Sequence, residues 1–472
     1  MNDLWDTIPN HAHDDKLGLI YQTSKKNMVA VNTAVGQSDR VDIPEIVTQG
    51  GTWGPILCSN SIDTVGKYAQ DNGHHFKYKN MARGIPLGMV DDLLTIRSCG
   101  FNSAAINTAI NTSIELRKLQ FHIPEQSKKS KCHYLHIGKA NKYCPGMKVH
   151  GEQADQVTEA VYLGDILRAD GKNTSNIKNR VSKGVGIVSE IMDMLNCVSF
   201  GYKYFEMAKA LREARLINGI LTNTDVWYSI HKEELDELED VDKMLLRRIL
   251  AAPDSVCIES LYLELGLIPI HIILKARRVN YLHYLANLNE NDMLYKAFLA
   301  QWKYPAKDDW TEEVKMNLKQ FGIQLSLVEM KKISEGQFKN MVKRKAKEYT
   351  LNYLLELKGK HSKMDSLKYT ELRLQPYLKD SHIQVTETKN LFRHRTRSAK
   401  YKENMKNSFM TTSLACPMCL VQPDTQVHSL QCPEVQKNVN VNGKYRDIFE
   451  DDIPSDISKT LLEINKLREE FI

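Results

Sequence analysis

Apolar positions follow two different periods along this chain, and the change comes near residue 170. Before it, short apolar runs are separated by turn residues, the pattern of strands and brief helices. Positions 28–31, 87–90, 93–96 and 132–137 read as extended, and 56–70 and 103–119 as helices. Pro55 stands where a helix begins, a place that tolerates its missing N–H. From about Asn173 onward the pattern is nearly continuous helix. Val181, Val185, Val188, Met192 and Leu195 fall at helical spacing, as do Leu235, Leu238, Val241, Leu245 and Ile249. Ser199-Phe200-Gly201 and Ala252-Pro253-Asp254-Ser255 interrupt it, with Ser255 placed to cap the next helix, and Pro269 and Pro305 are further breaks. The acidic run 233–242 reads as a solvated helix face. The expected fold class is α+β, strands first and helices after.

Composition narrows the class only slightly. A chain of 472 residues is long enough for two or three units with substantial cores. A net charge of +6 is mildly basic, compatible with a polyanion partner and shared by many proteins without one. No apolar run approaches the roughly 18 residues that span a bilayer. The start, Met1-Asn2-Asp3-Leu4-Trp5-Asp6, lacks the basic and apolar stretches of a secretory signal. An intracellular protein, nuclear or cytoplasmic, is expected. Nine scattered cysteines fit reduced thiols better than a disulfide framework.

Two constellations carry chemistry. Asp91 and Asp92 sit between apolar runs, a strand, a two-carboxylate tip and a second strand. Adjacent carboxylates repel, and a shared divalent ion offsets that repulsion. Alone, such a pair is usually just surface. Farther along, Cys416, Cys419, His428 and Cys432 offer three thiolates and an imidazole, the soft tetrahedral set of a structural zinc. The bland alternative is three buried thiols and an unrelated histidine. Just before it, Arg393, Arg395, Arg397, Lys400 and Lys402 form the densest basic segment, interleaved with Phe392 and Tyr401. Cations on phosphates with aromatic stacking are how sequence-tolerant nucleic-acid binding works, although a charge run is more often a solvated face.

The order of motifs resembles a reverse transcriptase of the non-LTR, LINE-like type. Gln49-Gly50-Gly51, before Gly54-Pro55, resembles that family's second palm motif, and Met89-Val90-Asp91-Asp92 its third, with Met89 where Tyr is usual. Lys131-Cys132-His133-Tyr134-Leu135-His136-Ile137-Gly138 resembles the lysine-bearing fourth motif. Val161-Tyr162-Leu163-Gly164-Asp165-Ile166-Leu167, before Asp170-Gly171, resembles the primer-grip hairpin. The resemblance implies two-metal nucleotidyl transfer with Mg2+ or Mn2+ on Asp91 and Asp92, and Lys131 near the triphosphate. It implies Gln49, Gly50 and Gly51 against nucleotide or template, and a zinc knuckle at the C-terminal end. RNA template, DNA primer or target and deoxynucleoside triphosphates would be the partners.

One departure counts against activity. The family's first motif supplies another catalytic aspartate upstream, and Asp3, Asp6, Asp14, Asp15, Asp39 and Asp42 match no such pattern. The chain reads as beginning after that motif: a partial palm (1–168), a helical thumb-like region (169–300), helices with the basic segment (301–408), the knuckle (409–440) and a tail (441–472). Three functions compete: an impaired RNA-directed DNA polymerase, a non-catalytic RNA- or DNA-binding relic, and a helical interaction protein.

Overall fold

The computed structural model describes residues 152–470 except 229, 308, 362–363, 406–413, 442–447 and 450–454. Before 152 it describes 132–137, 148–149, helical positions 108, 111, 112 and 115, and short strands from Met28–Val29 to Asp92–Leu94. The chain divides into two compact units, 1–172 with 289–304, and 173–288 with 305–472. The class is mixed, with short strands early and mostly helices after residue 173. Among the described residues no helix is long and apolar enough to cross a membrane.

In the first unit the described strands form separate two-stranded ladders. Leu87–Met89 runs antiparallel to Asp92–Leu94, pairing Met89 with Asp92, so two residues separate the strands. His133–Leu135 lies parallel to Asp155–Val157. Glu159–Tyr162 pairs with Asp165–Arg168 around Leu163 and Gly164, both at positive φ (48° and 83°). Two consecutive positive-φ residues make the tight primed turn that matches strand twist. The helix Met293–Lys303 buries Tyr295, Phe298 and Ala300.

The second unit has an extensive buried core. Thr174–Asn196 buries Ile177, Val188, Ile191 and Leu195 on one face, each worth about 2 kcal/mol. Lys232–Leu250 sets Leu238, Val241, Leu245 and Ile249 into the same core. The two helices approach closely at Gly184, where a Cβ would meet Val241 Cγ1 at 2.9 Å. The acidic run is only partly solvated. Asp242 is fully buried, held by Arg212 Nε and Nη2 at 2.6 Å each and by the Tyr262 hydroxyl at 2.9 Å. Arg212 opens a π-helical turn, Arg212–Ile217, and also donates to the Ile268 carbonyl at 2.9 Å.

The turn at 252–255 leads to helix Ile258–Leu265, whose N-cap is Cys257 and not the expected Ser255. That helix stops at Gly266, in the left-handed region (φ 62°), where Leu267 N–H reaches back to the Tyr262 carbonyl at 2.9 Å. Ile270–Ala286 follows behind Pro269. Glu335–Lys358 starts from a capping box between Ser334 and Gln337. The expected tail contains a helix instead, Ser455–Glu469, with Ile457, Leu461 and Ile464 fully buried. Cys416, Met418, Leu430 and Cys432 belong to the same core as the helices near residue 190. The cysteine-histidine segment is therefore built into this unit.

Candidate metal centre

Cys416, Cys419, His428 and Cys432 converge. One donor atom from each lies within 4.8 Å of all the others, and Cys419 Sγ is 3.3 Å from His428 Nε2. Local chain geometry makes this possible. After Cys416 the chain turns tightly, with Leu420 N–H on the Cys416 carbonyl at 2.9 Å and Cys416 N–H on the Gln422 carbonyl at 2.7 Å. Leu420 takes positive φ (57°) to close it, a conformation costing a non-glycine residue about 1 kcal/mol. A bridge between Ala415 and Pro423 ties the base of the loop. Thr425 then caps Gln426–Gln431, its hydroxyl accepting from His428 N–H at 3.0 Å, which aims the imidazole inward. Pro433 begins the next helix directly after Cys432.

Electrostatics suit a cation. Backbone N–H groups of Gln422 and Val421 lower the Cys419 thiol to about 6, with His428 adding to the effect. Burial pushes the Cys416 thiol up. Cys416, His428 and Cys432 are buried and Cys419 half-buried. Three sulfurs and a nitrogen fill a tetrahedron and leave no open position, so the set fits a structural ion better than a catalytic one. Among the described residues, buried His428 Nδ1 meets no hydrogen-bond partner, where metal-site histidines usually have one.

The loop carrying Cys416 and Cys419 is locked from the helix Ser455–Glu469. Arg468 grips Asp424 with two bonds, 2.6 Å and 2.9 Å, and its guanidinium lies 4.3 Å from the centre of the Tyr401 ring. Asp424 also accepts from Lys402 N–H at 2.9 Å, and Tyr401 OH contacts Ser429 Oγ at 3.0 Å. His394 packs beneath, fully buried, with Gln426 Nε2 donating to its carbonyl at 3.2 Å. Burial, and then the nearby Arg468 charge, hold His394 down at about 3, so it is neutral in the fold.

The basic segment before the knuckle is not the surface patch that its sequence implies. Helix Val385–Arg395 turns Leu391, Phe392, His394 and Arg395 into the core, and Tyr401 is fully buried as well. The Arg395 side chain is 4% exposed and pairs with a wholly buried Glu264 at 3.2 Å. It also donates to the Ile448 carbonyl and lies 4.8 Å over the Tyr377 ring. Tyr369 donates to the same carboxylate at 2.8 Å. Burial, and then the Glu264 charge, push the Tyr369 and Tyr377 phenols well up, so both stay neutral. Arg393 donates to the Ala251 carbonyl at 3.0 Å, Arg397 to Ser366 Oγ at 3.0 Å and Lys402 to the Ala415 carbonyl at 2.8 Å. Only Lys400 among the five is exposed. Arg395, Phe392 and Tyr401 cannot meet a nucleic acid, because burial commits them to the fold.

Of the residues expected to form a palm site, Gln49, Gly50, Gly51, Asp91 and Lys131 lie outside the described residues, and Asp92 begins the second strand of the 87–94 hairpin. A cluster that no local pattern announces also forms, from Cys257, Glu259 and His361. Comparison with protein-family models, with curated proteins and with solved structures gives no match.

Proposed function

We propose that this chain is related to non-LTR reverse transcriptases and that its working property is binding of RNA or DNA rather than nucleotide addition. The observation that carries this reading is the convergence of Cys416, Cys419, His428 and Cys432 at the place in the motif order where that family has its knuckle. Zinc is the ion this donor set favours. Binding would depend on the knuckle and on exposed cations such as Lys400, not on a patch containing Arg395. Nucleotide addition would need Asp91 and Asp92 to hold a pair of Mg2+ or Mn2+ ions. A site of that kind uses a third carboxylate beside these two, and losing one of three costs orders of magnitude in rate.

The alternative is a working RNA-directed DNA polymerase. Primer extension on an RNA template with magnesium or manganese separates the two, with the Asp91→Asn/Asp92→Asn double variant alongside. We expect no incorporation, with RNA still bound in a salt-dependent way. Incorporation that disappears in the double variant would establish the polymerase. Absence of both incorporation and RNA binding would reject both readings and leave a helical interaction protein.

A further inference from the structure

The second cluster lies apart from the knuckle. Cys257 caps helix Ile258–Leu265, and Glu259 sits in that helix's first turn. The approach to the cap is braced by Arg247, which donates to the Pro253 carbonyl at 2.6 Å and to the Val256 carbonyl at 3.1 Å. Ser260 Oγ donates to the Cys257 carbonyl at 2.7 Å. His361 arrives from the end of helix Glu335–Lys358, its N–H on the Lys358 carbonyl and its own carbonyl accepting from Met364, both at 2.9 Å. Its Nε2 is 3.7 Å from Glu259 Oε2. Thiol, carboxylate and imidazole donors all lie within 4.8 Å of one another. Two well-separated elements thus bring three different ligand types to one point.

We propose that Cys257, Glu259 and His361 form a second, open metal site for a divalent ion of the zinc class. Ligand bonds of about 2.0–2.3 Å put neighbouring donors of a tetrahedral site roughly 3.3–3.8 Å apart. Closing the present separations to that range takes a shift of about 1 Å or less, within reach of His361, whose side chain is 47% exposed. Sulfur and nitrogen donors select zinc-class ions over magnesium and calcium, which prefer all-oxygen shells. Three protein donors leave one position facing solvent, to be filled by water or by an external ligand. Coordination releases the Cys257 thiol proton to solvent. Nothing in this site depends on the nucleic-acid reading.

The test is metal counting on the full chain, loaded with zinc, freed of excess and digested for elemental analysis. Two zinc ions per chain are expected, and one in both Cys257→Ser and His361→Gln. Substituting cobalt(II) reads the ligands directly: His361→Gln should lose the weaker sulfur-to-cobalt band of a one-thiolate site and keep the stronger band of the three-thiolate knuckle. His361 is half-exposed, so His361→Gln decides the matter even if Cys257→Ser fails to fold. One zinc per chain in the unaltered protein overturns the proposal. So does a second ion that survives in the Cys257→Ser/His361→Gln double variant, which would mark it as adventitious.

Discussion

Replacing Arg395 by Met removes a charge that the basic-segment reading would place on nucleic acid and the structure places in the core. The pair it leaves behind is Glu264, 0% exposed and 3.2 Å away. At an effective dielectric near 20, two charges at that distance attract by about 5 kcal/mol. Breaking a buried pair from one side costs about 3–5 kcal/mol, because the remaining charge has lost its partner and cannot reach water. Urea unfolding followed by tryptophan fluorescence should show this directly. With a slope of about 2–3 kcal/mol per molar, the midpoint should fall by roughly 1–2 M. Removing both charges, in Arg395→Met/Glu264→Gln, should recover most of the loss, since Gln still accepts from Tyr369. A single substitution costing less than about 1 kcal/mol would refute the argument, most of all if RNA affinity fell while the midpoint stayed put.

Gly266→Ala should lose more than about 3 kcal/mol in the same unfolding assay, because a Cβ there would sit 2.1 Å from the Arg373 carbonyl carbon at a backbone angle that side chains avoid. His394 is held near 3 in the fold against about 6.5 unfolded, so the unfolded chain binds the extra proton between those values. Stability is therefore complete above about pH 6.5 and falls with acid, by about 2 kcal/mol from pH 7 to pH 5, and His394→Gln should flatten that part of the profile. Stripping the knuckle metal with a chelator should lower Tm by about 10 °C when the metal had been about a thousandfold above Kd, and Cys432→Ser should abolish the difference. Leu420→Val puts a β-branched side chain at φ 57°, and chelator competition should show zinc held about fivefold more weakly, equivalent to about 1 kcal/mol.

Periodicity revealed the helices at 174–196 and 232–250 because each buries one apolar face. The cysteine-histidine cluster was legible because its four residues lie within 17 positions of one another and local turns bring them together. What stayed hidden depends on partners far away in sequence. Arg395 is charged and lies three positions after Phe392 in a basic run, the profile of a binding residue, yet Glu264 meets it from 131 positions upstream. Asp242 sits in an acidic run that looks solvated until Arg212 packs against it. The 441–472 stretch reads as a tail because only 40 residues follow Cys432. Cys257 looked like a lone thiol, since His361 comes from more than a hundred residues further on.

RNA binding by the full chain, measured against salt concentration with and without the knuckle metal, bears most directly on the proposed function. Log affinity should fall linearly with log salt concentration, as released counterions require. Chelation or Cys432→Ser should weaken binding at every salt concentration. Undetectable binding at low salt, or binding indifferent to the metal, would contradict the proposed function.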